Sequence, residues 1–199
     1  TGGEGTAGEI QLSADEGDDN ADKWDIRVTS GGLFKVQNYA SGSWEDNIVC
    51  NANGAAELYH DAVKTFETTA NGARIVAGEG NYAYLYMDSD QGDDNADKWR
   101  WEVGNSGAHI LSNYASGSWE KNIECNGDGN VELYYDGSLK LETTSTGLTV
   151  TGNVFPSAND SHALGGSSAR WQELNISDVI DISDNGKIRL GDSDDLQIS

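Results

Sequence analysis

Lys23-Trp24-Asp25-Ile26-Arg27-Val28 decides the fold, and the chain says it a second time as Lys98-Trp99-Arg100-Trp101-Glu102-Val103. The hexapeptide alternates: Trp24, Ile26 and Val28 point one way while Asp25, Arg27 and Thr29 point the other. A period of two is the signature of a half-buried β-strand. In the second copy Trp99, Trp101 and Val103 keep the apolar face, and the charges opposite change sign, Asp25 and Arg27 becoming Arg100 and Glu102. That exchange argues against a catalytic pair, and it predicts a solvated outer surface. Asp46 becoming Lys121 predicts the same. Trp24, Trp99 and Trp101 are then expected in the core.

Working outward, the repeat is long. Gly17-Asp18-Asp19-Asn20-Ala21-Asp22-Lys23-Trp24 returns at 92–99, and Asn38-Tyr39-Ala40-Ser41-Gly42-Ser43-Trp44-Glu45 at 113–120. Both are offset by 75 residues, and residues 1–75 match 76–150 at 35 of 75 positions without a gap. A period this long exceeds a solenoid turn, so each copy is a module. The organisation expected is module 1 at 1–75, module 2 at 76–150, and a partial β region at 151–199. Strands are predicted at 9–14, 23–28, 33–39, around Ile48 and Cys50, at Leu58-Tyr59 and at 64–69, each with its counterpart 75 residues on. Asn53-Gly54 and Asp128-Gly129 are hairpin signals. Beyond Gly152 the repeat stops, and Val179–Ile182, Lys187–Leu190 and Asp195–Ile198 read as short strands, with a short turn over Ala169–Leu174. The sequence opens at Thr1 and ends on Ile198-Ser199 without a closing turn, which reads as a segment of a longer chain.

Composition excludes several classes. Twelve basic residues stand against 34 acidic ones, a formal charge of −22, with no basic stripe for nucleic acid. No apolar run approaches the ~18–20 residues that span a bilayer, so no membrane insertion is expected. Two cysteines make no disulfide framework, and Cys50 and Cys125 occupy one position of two modules. The three histidines are scattered, and His60 and His109 align with Tyr135 and Phe34, which marks packing positions. No nucleophile elbow, zinc pattern or phosphate loop is present, and no enzyme is expected.

Two constellations remain. Asp18, Asn20 and Asp22, with Asp93, Asn95 and Asp97, have the one-three-five oxygen spacing of a calcium loop. Lys23 stands where an EF-hand needs glycine, however, and short polar side chains also cap tight turns through their own backbone. Asp192, Asp194 and Asp195 are a weaker cluster of the same kind. Tyr39 and Trp44, with Tyr114 and Trp119, flank a glycine-serine turn, where aromatic rings either stack on a sugar or pack across a hairpin or subunit seam.

The motif Asp15–Trp24 followed by Tyr39–Trp44, the stretch Val131–Ser138 running into Leu141–Gly152, and the tail segments Leu164–Trp171 and Lys187–Ile198 together resemble tail-fibre proteins of tailed bacteriophages, marine cyanophages in particular. The resemblance covers most of the chain. It implies an all-β, fibrous protein of tandem modules, an elongated parallel homotrimer in a virion appendage. It implies a structural role in extending host attachment, with other tail or fibre proteins as partners and a host surface glycan as a candidate ligand. A secreted bacterial filament or adhesin subunit with carbohydrate-binding modules is the alternative. Independently of the family, each module has one apolar face per strand and too few residues for a thick sandwich, so chains that share a core are expected.

Overall fold

The computed structural model describes residues 2–159 and 161–182. Fourteen strands run through the modules: β1 (Gly8–Ser13), β2 (Lys23–Val28), β3 (Phe34–Asn38), β4 (Glu45–Cys50), β5 (Ala56–His60), β6 (Val63–Thr69) and β7 (Gly72–Ile75), then β8 (Ala83–Asp88), β9 (Lys98–Val103), β10 (His109–Asn113), β11 (Glu120–Cys125), β12 (Val131–Tyr135), β13 (Ser138–Thr144) and β14 (Gly147–Val150). They form two seven-stranded antiparallel sheets, each a meander in chain order, β1 to β7 and β8 to β14. The second repeats the first element for element. Two short 3-10 turns, Asp15–Gly17 and Asn20–Asp22, join β1 to β2, and Asp90–Gly92 and Asn95–Asp97 do so in the second sheet.

The register organises everything else. One row crosses all seven strands of the first sheet as Ile10, Ile26, Val36, Ile48, Leu58, Phe66 and Ile75. The matching row of the second sheet is Leu85, Trp101, Leu111, Ile123, Leu133, Leu141 and Val150. Every member of both rows is apolar. Two bulges keep it so. Between β3 and β4 the register steps at Val36/Gln37, leaving Asn47 as the extra residue. Between β5 and β6 it steps at Leu58/Tyr59, leaving Thr65. Asp46 and Ile48, or Lys64 and Phe66, would share a face in an unbroken strand; the extra residue separates them. Both bulges recur in the second sheet, and the first is fastened each time by an asparagine pair, Asn38 donating to Asn47 and Asn113 to Asn122, both at 2.8 Å.

Burial corrects the expectation about the two faces. The charged face is the covered one: Asp25 is 0 % exposed, and Gln37, Glu102, Ser112 and Glu124 are buried. The tryptophan face, expected to be core, is open in the single chain, with Trp24 41 %, Val28 50 % and Ile10 62 % exposed. Long side chains lying flat over the sheet are the cause. Arg27 pairs with Asp25 and reaches Glu9 at 2.6 Å, Lys35 holds Asp46 at 2.9 Å, and Lys64 bridges Glu57 and Glu67. Their methylene stems cover the backbone while their charges cancel. The sign exchange between modules therefore conserves a pair, Asp25 with Arg27 and Arg100 with Glu102, and does not mark a solvated surface.

Residues 154–199 form a second unit, of which 154–159 and 161–182 are described. Its described part holds a single isolated bridge, Gly166 with Ala169, and the turn expected over Ala169–Leu174 does not form after it. Val179–Ile182 is not a strand, since it pairs with no described residue. The expected strands at 187–190 and 195–198, and Asp192, Asp194 and Asp195, lie outside the described residues.

Removing Arg27 leaves a fully buried carboxylate without its counter-charge. Arg27→Ala is expected to destabilise by about 3 kcal/mol, the lower end for a buried pair because Arg27 itself keeps some contact with water. Exchanging the whole set, Glu9→Tyr, Asp25→Arg and Arg27→Glu, installs the second module's residues and is expected to recover most of that loss. Urea midpoints measure both, and an unchanged midpoint for Arg27→Ala would mean the pair carries no stability.

Candidate functional site

Each module brings its two sequence-level constellations side by side. The turn after β3 places Tyr39 against Trp44 with ring centroids 5.1 Å apart, and the turn after β10 places Tyr114 against Trp119 at the same 5.1 Å. All four rings are half-buried. Lys23 and Lys98 lie over the tyrosines, 5.9 Å from each ring. The turns need glycine: Gly42 has φ +89°, and a Cβ there would stand 3.3 Å from the Asn20 amide nitrogen. Gly117 and Asn95 repeat the geometry with φ +88° and the same 3.3 Å. Asn20 and Asn95 thus lie against the aromatic hairpin.

The acidic loops gather carboxylates in a different combination from the one the spacing suggested. Oxygens of Asp18, Asp19 and Asp22 lie within 4.8 Å of one another, as do those of Asp93, Asp94 and Asp97. The neighbouring aspartate joins, and the asparagine turns to the glycine-serine hairpin. In the second loop the carboxylates also close the turn, because Asp94 and Asp97 form a reciprocal capping box and Ser89 Oγ donates to Asp97 at 3.2 Å. Ahead of each cluster three successive residues take left-handed backbone, Asp15, Glu16 and Gly17 at φ 39°, 64° and 71°, and Asp90, Gln91 and Gly92 at 41°, 65° and 68°. Non-glycine residues rarely adopt this region, and its recurrence marks a fixed loop shape.

The second module adds what sequence reasoning missed. Tyr82, Tyr84 and Tyr86 project from one side of the edge strand, with centroids 6.2 Å and then 5.5 Å apart. Tyr86 lies 5.9 Å from Trp119, which continues to Tyr114. Five rings therefore form one ladder on the charged face. Arg100 is stacked within it, 4.4 Å from Trp119 and 4.9 Å from Tyr84. The first module holds Ala7, Glu9 and Gln11 at the three tyrosine positions. A stripe of one residue type at i, i+2 and i+4 was the available signal. A cavity of about 470 Å³ between β7 and β8 is lined mainly from the apolar-row face, by Ile75, Leu85, Trp101, Val103 and His109 among others.

Beyond the aromatic strip, carboxylates stand directly opposite one another, Glu57 with Glu67 and Glu124 with Glu132 and Glu142. Like charges in such positions repel, and bridging donors relieve them. Tyr59 donates to Glu57 at 2.7 Å, Asn130 Nδ2 reaches Glu132 at 2.9 Å and Glu142 at 3.2 Å, and the Tyr134 hydroxyl lies between Glu132 and Glu124. The Tyr59 hydroxyl holds Glu57 below the usual carboxylate range, and Lys64 does the same for Glu67. His60 ends β5, His109 stacks on Trp101 at 4.9 Å, and His162 contacts Ser157 Oγ at 2.8 Å in the second unit. Both cysteines are free thiols.

No family model, no curated protein and no solved structure matches the chain.

Burial, and after it the hydrogen bond to Glu57, pushes the Tyr59 phenol from 10.0 up to about 12. Tyr134 is raised by the same two causes, with Glu132 as the acceptor. Between these limits the folded chain keeps a proton that the unfolded chain has lost. Stability is therefore full below pH 10.0 and declines as pH rises towards about 12. Ultraviolet titration of phenolate should show Tyr59 ionising late, and Tyr59→Phe should flatten part of the alkaline decline in urea midpoint.

Proposed function

We propose that this chain is a shaft segment of a phage tail fibre, a homotrimer whose modules extend a host-recognition appendage from the virion. The observation that carries the reading is the apolar row of seven residues on one face of each sheet. Its members Ile10, Ile48, Leu58, Ile75, Leu85 and Leu133 are among the exposed large hydrophobics of the single chain. Exposed apolar surface of that extent marks an interaction site. A sheet with no second layer has one economical solution, which is to put the same face of further copies against it. Both modules carry the row at the same place, so parallel copies in register would meet apolar face to apolar face along both. The net charge of −22 suits a filament that must not aggregate sideways. The motifs that resemble tail fibres supply the viral setting. The role is mechanical: the modules set reach and stiffness, and copies held together give avidity to whatever follows.

Size-exclusion chromatography with light scattering tests it. The expected mass is three times the 21.3 kDa chain, and charges in the middle of the rows, Val36→Asp with Leu111→Asp, should reduce it to one chain. A compact monomer in the unaltered protein would refute the shared core.

A further inference from the structure

We propose that the second module carries a binding strip for a neutral polysaccharide, formed by Tyr82, Tyr84, Tyr86 and Trp119. The proposal goes beyond the shaft reading and stands independently of how many copies assemble.

Two observations converge on it. The first is a difference between two repeats of the same meander. Where module 1 needs only Ala7, Glu9 and Gln11 on this edge strand, module 2 spends three tyrosines, and Tyr82 and Tyr86 remain 44 % and 53 % exposed. The sheets are otherwise the same meander with the same bulges, so the fold does not require those rings. Second, the rings form a continuous strip, since successive centroids from Tyr82 to Trp119 are 5.5–6.2 Å apart. They lie on the face opposite the apolar row, because Tyr84 is in register with Glu102 and Tyr86 with Arg100.

The chemistry selects a sugar chain. A pyranose presents C–H bonds on one face and hydroxyls at its rim. The exposed rings of Tyr82 and Tyr86 take the former, while their phenol hydroxyls take the latter. Charge selects neutrality. The chain is at −22, Arg100 is neutralised by Glu102 at 2.7 Å, and Arg74 is paired with Glu67, so an anionic polymer meets net repulsion at the strip. The same repulsion excludes nucleic acid, which rings alone would otherwise suit.

Native gels cast with a neutral polysaccharide (galactomannan, dextran or mixed-linkage β-glucan) or with alginate test this on the full 199-residue chain. Retardation is expected in at least one neutral gel and absent in alginate. Tyr82→Ser with Tyr86→Ser should weaken retardation roughly tenfold, while Tyr82→Phe with Tyr86→Phe, which keeps the rings, should retain most of it. Circular dichroism and light scattering on the same samples hold fold and assembly constant, so a lost strip is distinguished from a lost oligomer. No retardation in any neutral gel, equal retardation in alginate, or undiminished retardation in the serine variant would each overturn the proposal.

Discussion

One constraint governs this molecule: each sheet is a single layer with an unbroken apolar row on one face. Seven strands in meander order place Ile10 to Ile75, and again Leu85 to Val150, side by side. Among the described residues no second layer covers them, as the exposure of Ile10, Trp24 and Leu85 shows. An antiparallel sheet ordinarily turns its apolar face to a core and its polar face to water. Here the described residues cover the polar face and leave the apolar one open.

The opposite face is held by lateral electrostatics in place of packing. Charged side chains lie along the sheet and bridge strands, Arg27 between Glu9 and Asp25, Lys64 between Glu57 and Glu67, Arg100 beside Glu102. Removing a carboxylate from water is costly unless its counter-charge travels with it. That is why Asp25 and Arg27 change together between modules, and why neither changes alone. The cross-strand neighbour changes with the pair: Glu9 faces Arg27 in the first module, and Tyr84 faces Glu102 in the second.

Divergence between the modules is informative because the scaffold is held fixed. The hairpin aromatics, the glycine that receives the asparagine amide, the left-handed residues before the acidic cluster and both bulges recur 75 residues apart. These are what the meander needs to keep its register. The tyrosines of β8 are not needed for that, and they turn one of two equivalent surfaces into an aromatic strip.

Much of the architecture was legible in the chain. Period-two alternation in Trp24-Asp25-Ile26-Arg27-Val28 and the Asn53-Gly54 and Asp128-Gly129 turns identified the strands and their hairpins, because these signals are local. The repeat by itself announced two like sets of strands 75 residues apart. The hairpin pairs Tyr39 with Trp44 and Tyr114 with Trp119 were legible for the same reason, the partners being five residues apart. What alternation does not contain is which of its two faces is covered, and the expectation that tryptophan marks the covered one failed. That depends on whether a second layer exists and on how long side chains from different strands lie against each other. Both are properties of register between distant residues, shifted twice per module by a bulge. The five-ring strip was hidden likewise, since Tyr86 and Trp119 become neighbours only through strands β8 to β11. The sequence by itself determined strands, turns and modules; the tertiary structure decided the faces, because a face is built from residues that the chain brings together only after it has folded.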